Sequence, residues 1–93
     1  MSVYVDPLHY TRPTKRWRYD KACHLMADTQ EELHAFAARL GLRRSWFAAS
    51  HRWPHYDLTA NKRQQALRLG ALEVSGQTLL RHFMGKETLG GIT

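Results

Sequence analysis

Two segments of this 93-residue chain carry the same order of residue types, and this repeat constrains the fold more than any other feature. In each segment a histidine and an aspartate precede a threonine, a helical stretch follows, and Arg-Leu-Gly leads into a short apolar run. The first segment begins at His24 and the second at His55. Both have the order strand, helix, strand, which favours a parallel sheet with right-handed crossovers.

The helix of the first segment is the most strongly indicated element of the chain. Thr29 and Glu32 form the S/T-x-x-E pattern of a capping box. Gly41 is suited to the left-handed conformation in which helices often end. Apolar residues at helical spacing occupy one face between these ends, and they are Leu33, Phe36, Ala37 and Leu40.

The remaining elements follow from shorter patterns. Apolar or alternating runs predict strands at residues 2–5, 23–27, 42–48, 55–58 and 72–74. Two further helices are predicted at residues 60–69 and after Ser75, and residues 8–21 form a long polar connection. We therefore predict one small α/β domain over residues 1–85, with a mostly parallel sheet of about four strands and about three helices, and a flexible C-terminal tail over residues 86–93.

The charge of the chain favours anionic partners. Lys and Arg number 14 against 8 Asp and Glu, a formal net charge of +6. Nucleic acid, a nucleotide or an acidic protein surface would fit this excess, although it could serve solubility alone. Residues 8–21 interleave cations with aromatic residues, a combination that binds phosphate backbones and stacks on bases. The alternative is a solvated surface loop whose Trp17 reaches the core.

Cysteine content and hydropathy bear on the compartment. Cys23 is the single cysteine, so no internal disulfide can form, and a reducing compartment is expected. No apolar run approaches 18 residues, and the N-terminus lacks a signal-peptide core, so we predict a cytoplasmic protein without membrane contact. Because neighbouring strand residues face opposite ways, Cys23 is expected to be buried rather than to form a dyad with His24.

Ionisable residues gather where the predicted strands end. His55 and Asp57 stand two residues apart and share one face of a strand. In open parallel sheets ligands bind beyond the carboxyl ends of strands, where Asp6, His24 and Asp28 would also lie. A histidine beside a carboxylate is suited to proton transfer near neutral pH. The catalytic candidates are therefore His55, His24 and Asp57.

Two cations begin the predicted second helix. Lys62 and Arg63 oppose the helix dipole there unless an anion compensates them, so we expect them to contact an anionic group. Two histidines with carboxylates would also suit a zinc or other divalent ion, but no tight ligand motif is present, and no metal ligand or cofactor is assigned. A purely structural alternative makes Asp28 a helix cap and Lys62-Arg63 a solvated face.

Several motifs together resemble a known family. They are Val3-Tyr4-Val5-Asp6, His24-Leu25-Met26-Ala27-Asp28, Glu32-Leu33-His34-Ala35-Phe36-Ala37, Gly41-Leu42 with Trp46-Phe47, His55-Tyr56-Asp57-Leu58 with Lys62-Arg63, and Leu69-Gly70-Ala71. The chain to about residue 75 resembles the domain-of-unknown-function family 4031, a group of small bacterial and phage-encoded domains. The resemblance implies no activity. It draws attention to pattern residues, and residues 8–21 look like the variable part.

These observations give a leading hypothesis and a rival. The leading hypothesis is a basic protein that binds a phosphate-bearing ligand, nucleic acid or a nucleotide, with hydrolysis at a His/Asp cluster. The rival is a non-catalytic interaction module that meets a protein partner through Trp17, Trp46 and Trp53. A metal-dependent hydrolase is a third possibility, ranked behind both. The predicted ligand-binding residues are Asp6, Asp28, His34, Tyr56, Lys62 and Arg63.

Overall fold

The fold is α/β, as predicted, with a five-stranded sheet at its centre. The computed structural model describes residues 2–49 and 53–83. The strands are β1 (Val3–Val5), β2 (His9–Tyr10), β3 (Lys21–Ala27), β4 (Tyr56–Leu58) and β5 (Leu72–Glu73). The helices are α1 (Gln30–Arg39), α2 (Ala60–Arg68) and α3 (residues 76–83), with a 3-10 turn at Arg44–Trp46 between α1 and β4.

The sheet is mixed rather than mostly parallel. Strand β3 pairs antiparallel with β1, β2 and β4, and β5 pairs parallel with β1. Leu25 lies opposite both Val5 of β1 and Tyr56 of β4, so these two strands flank β3. The chain passes from β1 to β3 through a hairpin and not a crossover helix, which makes the pairing antiparallel. The prediction of a mostly parallel sheet is inexact for this reason.

One face of the sheet forms the hydrophobic core. Alternate residues of β3 point to opposite faces, and Cys23 and Leu25 are fully buried on the face that meets α1 and α2. Full burial of a side chain such as leucine stabilises a fold by about 1.5 to 3 kcal/mol. Further members of this core are Val3, Val5, Leu33, Phe36, Ala37, Leu40, Tyr56, Leu58 and Ala66.

Threonine caps the start of both α1 and α2, but of the capping box predicted from Thr29 and Glu32 only the bond to the Thr29 hydroxyl is observed among the described residues. The hydroxyl of Thr29 accepts a hydrogen bond from the backbone N–H of Glu32 at 3.2 Å, and the hydroxyl of Thr59 accepts one from Lys62 at 3.2 Å. These bonds satisfy N–H groups that have no partner inside a helix. Gly41 follows the C-cap residue Leu40 and has a φ of +78°, the left-handed conformation that was predicted to end this helix.

The prediction of a strand at residues 42–48 is wrong. Leu42 and Phe47 pack against the core, but between them the chain makes the 3-10 turn, and Trp46 is 56% exposed. Ala48 makes a single antiparallel bridge to His55. The apolar residues of this segment anchor a reversal between α1 and β4, so they do not alternate between two faces as strand residues would.

Residues 8–21, which were predicted to be a polar connection, instead contain a short strand and backbone hydrogen bonds that link the two arms of the segment. His9 pairs with Ala22 in the β2–β3 ladder. Beyond it the backbone N–H of Thr11 donates to the carbonyl of Asp20 at 2.8 Å, and that of Thr14 donates to the carbonyl of Trp17 at 2.6 Å. Residues 9–22 are therefore a two-stranded hairpin, which we call the basic ribbon.

Two further predictions concern the chain end and membranes. The predicted tail over residues 86–93 lies outside the described residues. Within the part of the chain that the structure describes, no helix has the length and apolar character needed to cross a membrane.

Candidate functional site

The face of the sheet opposite the core carries ionisable side chains. Asp57 lies opposite His24 in the β3–β4 ladder, and Asp6 follows the end of β1 on the other side of His24. Helix α3 lies over this face. A cleft of about 510 Å³ between sheet and helix is lined by Asp6, His24, Met26, Trp53, His55, Gly76, Leu79, Leu80 and Phe83. We call Asp6, His24, His55 and Asp57 the His/Asp cluster.

Asp6 fixes the orientation of His24. Its carboxylate accepts one hydrogen bond from Nδ1 of His24 at 2.7 Å and another from the His24 backbone N–H at 2.6 Å. Burial alone would raise the pKa of Asp6, but these hydrogen bonds outweigh it and hold the pKa below its usual value. Asp6 is therefore ionised at neutral pH, and His24 directs its Nε2 atom away from it.

His55 is oriented by a backbone carbonyl. Its Nδ1 atom donates to the carbonyl of Trp53 at 3.0 Å, and its Nε2 atom lies 3.6 Å from Oδ1 of Asp57. Because a carbonyl oxygen can only accept, the neutral imidazole carries its proton on Nδ1. Burial would lower the pKa of His55, but Asp57 and the Trp53 carbonyl outweigh it and raise the pKa above its usual value.

The two histidines meet directly. The ring centres of His24 and His55 are 4.7 Å apart with the rings nearly perpendicular. One ligand-capable atom from each of His24, His55 and Asp57 lies within 4.8 Å of the other two. The predicted catalytic residues are thus brought together, although by an antiparallel ladder and not by the ends of parallel strands.

His9 joins this group and was not predicted as a site residue. Its ring stacks on that of His24 at 5.3 Å between ring centres. The sequence does not indicate this contact, because residues 8–21 have the composition of a polar connection and show no pattern of a strand that pairs with β3. His9 also marks the base of the basic ribbon, so the ribbon begins at the cluster.

Asp28 belongs to a different set of contacts. Its carboxylate accepts hydrogen bonds from the Tyr4 hydroxyl at 3.1 Å, His82 Nε2 at 2.9 Å and the Ser2 backbone N–H at 2.9 Å. These contacts tie α3 to the ends of β1 and β3. His82 was not predicted as a site residue, because its contact with Asp28 depends on how α3 lies against the sheet.

His34 and Tyr56 lie on the core side of the sheet, away from the cluster. Nδ1 of His34 and the Tyr56 hydroxyl are hydrogen-bonded at 2.9 Å, and Phe47 packs against both rings. Nε2 of His34 is buried and has no hydrogen-bond partner among the described residues. Burial, with a smaller contribution from Arg44, lowers the pKa of His34.

Lys62 and Arg63 are engaged inside the fold. Lys62 Nζ donates to the carbonyl of Leu40 at 2.6 Å, where the C-terminus of α1 attracts a cation. Arg63 Nε donates to the backbone carbonyl of Asp6 at 2.9 Å, and Nη2 to Glu73 at 2.9 Å. These contacts account for two cations at the start of α2. Arg63 also supports the segment that carries Asp6.

The fold and the cluster together define a small α/β domain with paired histidines and aspartates on the open face of its sheet. The sequence profile of a family described as "Protein of unknown function (DUF4031)" matches residues 3–86. The chain belongs to this family, which confirms the resemblance found in its motifs. No curated protein and no solved structure matches the chain.

Proposed function

We propose that this protein binds nucleic acid along the basic ribbon and hydrolyses a phosphodiester bond at the His/Asp cluster. The observation that carries the proposal is the convergence of His24, His55 and Asp57, whose ligand-capable atoms lie within 4.8 Å of one another, with Asp6 orienting His24. Packing does not require ionisable groups in this arrangement, and such groups concentrate at functional sites.

The basic ribbon supports nucleic acid as the ligand. Two of its tyrosines face outward, and 81% of the surface of Tyr10 and 56% of that of Tyr19 is exposed to solvent. Exposed rings next to cations suit base stacking and phosphate contact together. The ribbon contains a single acidic residue, Asp20. Its cations are Arg12, Lys15, Arg16, Arg18 and Lys21. Because His9 at the ribbon's base stacks on His24, a bound strand would lead toward the cluster.

Hydrolysis at the cluster needs water to attack phosphorus while the bond to the leaving oxygen breaks. One product keeps the phosphate as a monoester, and the other regains a hydroxyl when the leaving oxygen takes a proton. Two imidazoles whose ring centres lie 4.7 Å apart could accept the proton of water and supply that of the leaving group. The same two imidazoles would alternatively hold a metal ion, which would supply an activated water at neutral pH.

A binding measurement tests the ribbon. We expect affinity for a fluorescent single-stranded oligonucleotide, measured by anisotropy, to fall steeply with salt. The variant Lys15→Gln/Arg16→Gln/Arg18→Gln should reduce the slope of log K against log[salt] by about 2, or about 0.7 per lost phosphate contact. A matched control with the same charge loss on exposed helical residues is Arg39→Gln/Arg68→Gln/Arg81→Gln. Equal slopes for the two variants, or a flat salt response, would contradict the proposal.

A cleavage measurement tests the cluster. We expect His24→Gln to lower oligonucleotide cleavage by at least about 100-fold, the usual loss when a proton-transferring group is removed, while binding stays unchanged. Cleavage that persists undiminished in this variant would assign the activity to something other than the cluster.

The rival interaction module has less support. Trp53 lines the cleft and its carbonyl holds His55, while the Trp17 ring packs on Tyr19 and its Nε1 donates to the Lys21 carbonyl at 3.3 Å. Trp46 is left as the exposed tryptophan of the three. A docking surface built from all three residues is therefore not favoured.

A further inference from the structure

We infer that the His/Asp cluster is a binding site for a divalent first-row transition ion such as zinc, with His24, His55 and Asp57 as its protein ligands. Two imidazole nitrogens and a carboxylate oxygen form a ligand set that such ions accept, with further positions left for water or substrate. The inference concerns the proposed hydrolytic site, where the two imidazoles would hold the ion in place of transferring protons, but it requires neither nucleic acid nor cleavage.

The distances between the ligand atoms are close to those of a metal site, so small side-chain movements would allow the three residues to bind an ion. The ligand-capable atoms of the three residues lie within 4.8 Å of one another, and His55 Nε2 is 3.6 Å from Asp57 Oδ1. Ligand bonds of about 2.0 to 2.1 Å in tetrahedral geometry place neighbouring ligand atoms about 3.3 Å apart. One pair is therefore close to this spacing, and rotation of exposed side chains can close the rest.

The outer contacts of the two histidines are the stronger argument. Metal-binding histidines usually donate their second ring N–H to a carboxylate or a backbone carbonyl, which fixes the tautomer and aims the other nitrogen at the ion. His24 donates Nδ1–H to Asp6, and His55 donates Nδ1–H to the Trp53 carbonyl. Both kinds of support are present, one for each imidazole, and both leave Nε2 as the ligand atom.

Charge and exposure agree with a cation here. Two carboxylates, Asp6 and Asp57, lie beside the two imidazoles, so negative charge suited to a dication is present at the site. The Asp6 side chain is buried, whereas the side chains of His24 and Asp57 are 36% and 46% exposed. A closed inner side and an open outer side are typical of a metal site that exchanges water.

Direct metal binding tests the inference. The full chain, stripped with EDTA and dialysed, should bind Co²⁺ in a 1:1 ratio with visible absorption bands, and Zn²⁺ should displace it. His24→Gln and Asp57→Asn should abolish this binding. Asp6→Asn should weaken it by about 10- to 100-fold, the usual loss when an outer-shell partner is removed. His34→Gln, which changes a histidine on the other face of the sheet, is the matched control.

The outcomes separate this inference from the proposed function. Circular dichroism confirms that each variant is folded, and Asp57→Asn changes a half-exposed side chain, so it stays informative if His24→Gln does not fold. Absence of 1:1 binding in the wild type, or binding that Asp57→Asn leaves unchanged, would overturn the metal site. Cleavage that survives chelation would overturn it as part of the reaction, whereas bound metal without cleavage would overturn the proposed hydrolysis alone.

Discussion

The two faces of the sheet are built from neighbouring residues of the same strands, yet they are held by different forces. On β3, Cys23 and Leu25 are fully buried against the helices, while His24 between them is partly exposed and bound to Asp6. The core face is stabilised by removal of apolar surface from water. The open face is organised by directional hydrogen bonds, which fix where nitrogen and oxygen atoms point.

From this difference we expect residues on the core face to determine the stability of the fold and residues on the open face to determine its function. Substitutions on the core face should change the free energy of unfolding and leave the chemistry of the cluster intact. Substitutions on the open face should do the reverse. The predictions below test that separation, beginning with the largest expected effect.

Reactivity of Cys23 should show the greatest contrast between folded and unfolded chain. Burial raises the pKa of the Cys23 thiol to about 12. At pH 8 the folded protein then holds about a thousandfold less thiolate than an ordinary cysteine would, and thiolate is the reactive form. Alkylation followed by mass spectrometry should be slower by at least this factor in the native protein than in urea. Rapid, complete labelling of the native chain would place Cys23 on an accessible face.

Leu25→Ala should be the most damaging of the single substitutions. Leu25 is fully buried between Val5 and Tyr56, and truncating such a side chain costs about 2 to 5 kcal/mol. Met26→Ala is the matched control on the neighbouring residue, which lines the cleft, where a cavity already exists. Urea unfolding should show a smaller loss for Met26→Ala. Equal losses would mean that the open face is packed as tightly as the core.

The same contrast explains what could be predicted from the sequence. The core of α1 was predictable because Leu33, Phe36 and Ala37 recur at helical spacing, and its ends followed from Thr29 and Gly41. Local patterns of this kind reflect local forces. The direction of strand pairing was not predictable, since it depends on whether the chain turns back by a hairpin, and the ribbon that makes this turn has no strong alternation of its own.

The candidate site was predictable in part for a related reason. His24, His55 and Asp57 stood out because histidine and aspartate occupied positions in otherwise apolar strands. His9 gave no such signal, because its contact with His24 depends on β2 pairing with β3. Lys62 is unusual at the start of a helix, and the sequence predicts an anionic contact for it. In the fold it meets the Leu40 carbonyl at the C-terminus of α1, which only the tertiary structure brings near.

Lys62→Met tests that explanation and should have a moderate effect. The substitution keeps most of the aliphatic stem but removes the hydrogen bond from Nζ to the Leu40 carbonyl, 2.6 Å long. Loss of a charge-assisted bond at a helix C-terminus should cost about 1 to 2 kcal/mol of the free energy of unfolding. Oligonucleotide and Co²⁺ binding should be unchanged. Weaker oligonucleotide binding at full stability would instead support the predicted anion contact.

The smallest expected effect is a change in the pH dependence of stability at His34, on the core side of the sheet. Its pKa in the folded protein is lowered from 6.5, first by burial and then by Arg44. As pH falls through 6.5, the unfolded chain protonates at His34 before the folded protein does, so the wild type loses stability until the folded pKa is reached.

His34→Gln can still meet the Tyr56 hydroxyl but cannot titrate. Urea unfolding between about pH 7.5 and about pH 5.5 should therefore show a shallower loss of stability for His34→Gln than for the wild type, with other titrating groups common to both. Identical slopes would mean that His34 is as easily protonated in the fold as in the unfolded chain, and the contrast between a solvated open face and a dry core face would not extend to this residue.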